Sequence, residues 1–248
     1  MRIVSKTLLE VKELTINFGG LIAVNNLDMI VNTGEAIGLI GPNGAGKTSA
    51  FNLISGVYKP TNGKVIFDGE DITGLPPYEV NRKGIGRTFQ VVKPFGSMTV
   101  LENVMVGGFV HTSKRSKSRA IAMQVLEQVD LKRKMNSLAK NLTLSDRKRL
   151  EVAKALATEP KLLLLDEVLA GLNPTEIEEA VKMIKSINQS GISILMIEHV
   201  LQATMAICSR IVVLDYGKKI AEGTPQEVTN NPEVIKAYLG DEYEAVNN

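Results

Sequence analysis

The run Gly41-Pro42-Asn43-Gly44-Ala45-Gly46-Lys47-Thr48 fits the pattern of glycine, four spacers, glycine, lysine and a hydroxyl residue. Each part has a chemical reason. Glycines let a backbone wrap a phosphate without side-chain clashes. Backbone N–H groups then point inward, and a following helix adds the positive end of its dipole. Lys47 is suited to neutralise β- and γ-phosphates, and the Thr48 hydroxyl to ligate Mg²⁺; Ser49 follows on the helix. A second group is Leu162-Leu163-Leu164-Leu165-Asp166-Glu167, an apolar run ending in two carboxylates. In open α/β sheets, ligands bind at such C-terminal strand ends. Asp166 is suited to hold Mg²⁺ through water, and Glu167 to polarise an attacking water. An acidic strand end alone is common; the phosphate loop gives this one its meaning. Asp71-Ile72-Thr73-Gly74 also fits a short GTPase pattern, but no Asn/Thr-Lys-x-Asp stretch reads a guanine, so residues 71–74 read as a turn.

These residues need a scaffold. Residues 9–18 and 26–31 read as strands, 36–40 as a buried strand, and 47–55 as a helix with Gly56 at its C-cap. Residues 64–67 form a short strand ending in an Asp-Gly turn. From 99 to 156 the pattern is mainly helical. Strands then return at 162–165, 193–197 and 211–214, alternating with helices at 175–188 and 200–207. Near-continuous apolar strands between helices predict a parallel sheet covered on both faces. The basic stretch 111–119, with Lys114, Arg115, Lys117 and Arg119, reads as a solvated loop or exposed helix end, with lipid headgroups or a partner as the other reading.

Composition sets the outer bounds. With 248 residues the chain can bury a core without staples, and its net charge of +2 does not call for nucleic acid. The single cysteine, Cys208, forbids an internal disulfide and reads as a small buried hydrophobe. Lys6, Glu10 and Lys12 interrupt any signal-peptide core, and no apolar run is long enough to span a membrane. Any membrane role is therefore expected through a partner.

Taken in order, the motifs resemble those of ATP-binding cassette (ABC) subunits over nearly the whole chain. Gly86-Arg87-Thr88-Phe89-Gln90 is similar to the Q-loop, Ala170-Gly171-Leu172-Asn173-Pro174 to the D-loop, and Ile197-Glu198-His199 to the segment carrying the switch histidine. The resemblance implies an α/β P-loop NTPase core with a mostly parallel sheet, an N-terminal antiparallel β subdomain and a helical insertion subdomain. It divides the chain into 1–98, 99–157 and 158–248. It implies that Gln90 senses Mg²⁺ and the γ-phosphate, that His199 contacts the γ-phosphate, and that Phe18 stacks on adenine. Two subunits would sandwich two ATP molecules, and motion would pass to membrane subunits through a groove lined by Val91, Val92, Pro94, Phe95 and Met98, which could equally be ordinary core.

One motif departs from the family. Where it has Leu-Ser-Gly-Gly-Gln, this chain has Leu142-Thr143-Leu144-Ser145-Asp146. Thr143 keeps the hydroxyl, Ser145 replaces the second glycine and Asp146 the glutamine, while 149–156 match well. Thr143 and Ser145 would reach the nucleotide held by the other subunit, but Asp146 offsets the helix dipole that should attract its γ-phosphate. Thr143 and Asp146 also fit a capping box, a purely structural reason for the acid. Weakened trans-site stabilisation is expected. Val168 stands where the family usually has proline.

Five stretches, beginning at Phe18, Gly84, Met98, Ala170 and Asn231, are similar to the ATPases of branched-chain amino acid uptake systems. Lipopolysaccharide-export ATPases share part of the pattern. The resemblance implies transmembrane permease subunits, a second ATP-binding subunit, an indirect link to a periplasmic or extracellular substrate-binding protein, no nucleic acid, and a peripheral place on the cytoplasmic face of the membrane. A regulatory module that binds ATP with little hydrolysis is the alternative of another class.

Overall fold

In the computed structural model, which describes residues 6–239, strand pairing begins with a tight hairpin. Strand β1 (Thr7–Phe18) runs antiparallel to β2 (Leu21–Asn32), with Phe18 opposite Leu21 and Gly19 and Gly20 as the turn. The second strand therefore starts earlier than its apolar pattern suggests. Then follow β3 (Ala36–Ile40), α1 (Lys47–Ile54), β4 (Asn62–Phe67), β5 (Glu70–Asp71), α2 (Pro77–Lys83) and β6 (Ile85–Arg87). A helical stretch comes next: α3 (Val100–Gly108), α4 (Arg115–Gln128) and α5 (Leu144–Leu156), with 3₁₀ turns at Lys132–Lys134 and Ala139–Asn141. The chain closes with β7 (Leu162–Asp166), α6 (Pro174–Gln189), β8 (Ser193–Ile197), α7 (Leu201–Ile207), β9 (Arg210–Asp215), β10 (Lys218–Gly223), α8 (Pro225–Thr229) and α9 (Pro232–Leu239). Residues 1–5 of the N-terminal stretch and Gly240 of the C-terminal resemblance lie outside the described residues.

The strands form two sheets. An antiparallel one has the order β2-β1-β4-β5, and a six-stranded one the order β10-β9-β3-β8-β7-β6. In the second, β3, β6, β7, β8 and β9 pair in parallel and only β10 is antiparallel. Alternation along the strands splits the core into layers. Leu163, Leu165, Ile194 and Met196 pack into the cluster that includes α3 to α6. Leu162, Leu164, Leu195 and Ile197 face the cluster shared with α1 and the antiparallel sheet. Strands covered on both faces read as unbroken apolar runs, as β7 and β8 do.

Local chemistry sets the ends. Gly56, at φ 76°, follows α1 as a left-handed cap. Thr99 with Glu102, and Asn173 with Glu176, close reciprocal capping boxes at α3 and α6. Residues 71–74 turn as expected, Asp71 accepting from the Thr73 N–H at 3.0 Å. Lys114, Arg115, Lys117 and Arg119 are exposed at the start of α4. Cys208 is buried, and burial pushes its thiol up to about 12. Among the described residues no helix is long and apolar enough to cross a membrane.

Candidate active site

The loop from Gly41 to Gly46 joins β3 to α1 where only glycine fits. A Cβ at Gly41 would stand 2.0 Å from the Leu214 carbonyl oxygen, and one at Gly46, where φ is 98°, 2.2 Å from that of Ala23. No side chain caps α1 and no acid sits in its first turn, so its N-terminal donors and positive dipole end are left for a ligand. Lys47 is buried, its ammonium donating to the carbonyls of Gly41 at 2.7 Å and Pro42 at 2.8 Å. Burial pulls its pKa down, and the nearby Glu167 and Asp166 carboxylates oppose that.

Asp166 ends β7 with 2% exposure. One carboxylate oxygen accepts from Arg87 at 3.1 Å, while the other, Oδ1, is buried with no hydrogen-bond partner. Burial pushes this carboxyl up, opposed by the charge and hydrogen bond of Arg87. The Arg87 guanidinium also donates to Asn52 and Ser55, each at 2.7 Å, and lies over the rings of Phe89 and Phe51. Arg87 was not singled out from the sequence, although it stands three residues before Gln90. Thr48, Gln90 and Asp166 line one cleft of about 460 Å³. A hydroxyl, an amide oxygen and an orphaned carboxylate oxygen are hard donors of the kind Mg²⁺ takes beside phosphate oxygens and waters.

Glu167 follows in a left-handed conformation, φ 49°. Its Oε2 accepts from the Gln90 amide at 2.7 Å, and its Oε1 lies 3.1 Å from His199 Nε2. Two residues far apart in sequence thus converge on one carboxylate. Two buried charged groups brace the turn from behind. The Lys148 ammonium donates to the Glu167 carbonyl at 2.7 Å, and Glu198 Oε1 accepts from the Leu169 N–H at 2.9 Å. Burial pushes Glu198 up to about 7, opposed by the Leu169 hydrogen bond and the Lys148 charge. Glu198 is the immediate neighbour of His199, the one sequence signal that could have flagged it; nothing marked Lys148.

A cleft of about 550 Å³ gathers Asn43 to Ser49, Gln90, Glu167 and His199, and on its other side Phe18, Leu21, Ile22, Ala23 and Tyr216. Phe18 is 46% exposed and packs edge-on against Tyr58, ring centroids 5.3 Å apart. The exposed Tyr216, carried on the β9–β10 turn, had no sequence signal. Thr143 and Ser145 do not line the cleft; they sit at the start of α5. Thr143 caps α5, accepting from the Asp146 N–H at 3.2 Å. The full capping box expected there is not formed, because the Asp146 carboxylate takes the Thr143 hydroxyl at 2.9 Å and the Lys134 ammonium at 2.5 Å instead. After Gln90, none of Val92, Pro94 and Met98 is fully buried, and Val91 and Phe95 are exposed.

A glycine loop at the end of a parallel strand, a lysine at its end and paired acids at the end of β7, two strands away across β8, define a P-loop nucleotide hydrolase. Residues 24–170 match the ABC transporter family, and residues 218–244 the branched-chain amino acid ATP-binding cassette transporter family. The chain belongs to the ABC transporter family, and it is an ATPase whose hydrolysis drives transport. It is 41% identical to the high-affinity branched-chain amino acid transport ATP-binding protein BraF of Pseudomonas aeruginosa, over 96% of this chain and 99% of the relative. It is 42% identical to LivG of Escherichia coli K12, which carries the same description, over the same shares. The lipopolysaccharide export system ATP-binding protein LptB of Haemophilus influenzae is 35% identical, over 89% and 92%. Among solved structures, the ADP conformation of MJ1267, an ATP-binding cassette of an ABC transporter, superposes with a TM-score of 0.87 at 30% identity, covering 96% of this chain and 100% of that one.

Proposed function

We propose that this chain is the ATP-hydrolysing subunit of a branched-chain amino acid importer. For the chemistry, the observation that supports it is the Glu167 carboxylate held between Gln90 and His199 at the phosphate loop. In this reading Glu167 polarises the attacking water, and His199 and Gln90 contact the γ-phosphate side of the nucleotide. Residues 41–49 cradle the phosphates, and Phe18 stacks on adenine. Thr48, Gln90 and Asp166 would hold Mg²⁺, which when bound neutralises charge on the β- and γ-phosphates. Thr143 and Ser145 act on the nucleotide of a second ATP-binding subunit, completing that site.

The cargo follows from the relatives. BraF and LivG match at 41% and 42% over nearly the full chain, against 35% over a shorter stretch for LptB. The reading therefore favours uptake over lipopolysaccharide export. It puts the chain peripherally on the cytoplasmic face of the membrane, bound to permease subunits and served indirectly by a substrate-binding protein.

Phosphate release from Mg-ATP tests the chemistry, comparing the wild type with Glu167→Gln over a range of protein concentrations. Activity that rises faster than concentration and falls to a small residual rate in the variant is expected. Full turnover by Glu167→Gln would remove the assigned role. For the cargo, ATPase of the reconstituted transporter should rise with leucine-loaded binding protein and stay flat with lipopolysaccharide; the reverse would exchange the two readings.

A further inference from the structure

We propose that Lys148 and Glu198 form a buried positioning pair that fixes the Glu167 turn and ties it to α5. The proposal rests on the reading of Glu167 as the group that polarises water. A non-glycine residue at φ 49° persists only where its surroundings over-determine it. Backbone contacts supply part of this, since the Glu167 N–H donates to Ile197 at 2.9 Å and the Ala170 N–H to Glu167 at 3.3 Å. Two charged side chains supply the rest. Lys148 holds the Glu167 carbonyl and Glu198 holds the Leu169 N–H, so the turn is gripped from both sides.

Lys148 is 7% exposed and Glu198 4%. Polar groups so buried are tolerated only where they are hydrogen-bonded, as both are to the backbone of the turn. Glu198 is the carboxylate acting most strongly on the Lys148 ammonium, ahead of Glu167, Asp166 and Glu151. Neither residue lines the cleft that holds the phosphate loop, so both act on the site from outside it, through the turn and, for Lys148, also through its charge on Glu167 and Asp166. Lys148 also lies within α5, whose first residues follow the Thr143 cap. The position of that helix is thereby transmitted to the carboxylate of the same chain.

Steady-state ATPase of the full chain tests this with Lys148→Met, Glu198→Gln and Glu198→Leu, each alone and combined with Glu167→Gln. A small displacement of a reacting group costs about 100-fold, so Lys148→Met is expected to lower kcat by about that factor with KM for ATP unchanged. Glu198→Gln, whose amide oxygen still accepts from Leu169, should lose only several-fold, and Glu198→Leu more. Added to Glu167→Gln, none should reduce the residual rate further, because groups acting as a unit are non-additive. An unchanged kcat, a raised KM with kcat intact, or an equal loss in the Glu167→Gln background would overturn the pair. If Lys148→Met does not fold, Glu198→Gln carries the same three readouts. Wild-type turnover by Glu167→Gln itself would instead sink the reading beneath the proposal, and the pair with it.

Discussion

At the scale of single residues, the site is organised by charges that have almost no water. Arg87 and Asp166 are the clearest case: one guanidinium satisfies Asn52, Ser55 and half of a carboxylate with 2% exposure. Removing one partner of a buried pair leaves the other uncompensated, which costs about 3–5 kcal/mol. Arg87→Met should lower unfolding stability in urea by that amount, and adding Asp166→Asn should restore part of it. Equal stability of Arg87→Met and wild type would show that water reaches Asp166. Glu198 yields a pH prediction. Its folded pKa is about 7 against 4.5 unfolded, so between those values the native state binds more protons than the unfolded one. Stability from this group is therefore full below about 4.5 and falls as pH rises through 7, by on the order of 3 kcal/mol. Glu198→Gln should flatten the stability difference between about pH 5 and pH 8, and an unchanged slope would assign it to other groups.

At the scale of elements, α5 is the helix whose sequence departs from its family, and its cap explains how. Asp146 spends its carboxylate on Thr143 and Lys134, which stabilises the helix start while placing negative charge at the positive end of the dipole. Replacing Ser145 by Gly and Asp146 by Gln should raise ATP turnover, since one misplaced oxyanion donor costs about 10²–10³ in rate. Helix stability should fall by about 1 kcal/mol. A rate unchanged or lower would mean that the acid does not oppose the phosphate. The order of elements around this helix was largely legible, because the phosphate loop, the two-faced apolar strands and the intervening helices carry local signals. The strand β6 and the edge strand β10 were not legible: one is three residues long, and the other alternates weakly with little burial. Phosphate-loop and acidic residues announced themselves by spacing. Arg87 and Asp166 are 79 positions apart, Lys148 and Glu167 19, and Glu198 and Leu169 29, so their partnerships arise only from tertiary packing.

At the scale of the molecule, no described helix is long and apolar enough to cross a membrane, and the chain belongs to a family of transport ATPases. One exposed segment is suited to couple it to permease subunits. Phe89, Val91 and Phe95 are 55%, 64% and 48% exposed within one short segment, where burial of ordinary core side chains would be expected. Phe95 is held beneath the Lys154 ammonium, 5.4 Å from its ring centroid, so the segment is presented with some order. Apolar groups clustered this way cost free energy in water and regain it against a partner. The segment adjoins Gln90, which touches Glu167, so a partner seated there would stand one residue from the reacting site. Charging the patch with Val91→Glu and Phe95→Glu should abolish co-purification with the permease subunits, while ATP binding by the isolated chain stays within about twofold in Phe95→Glu alone, since Phe95, unlike Val91, lines neither the P-loop cleft nor the cleft of Thr48, Gln90 and Asp166. Undiminished co-purification would move the docking surface elsewhere. Loss of ATP binding would mean instead that these side chains hold the Gln90 segment in place.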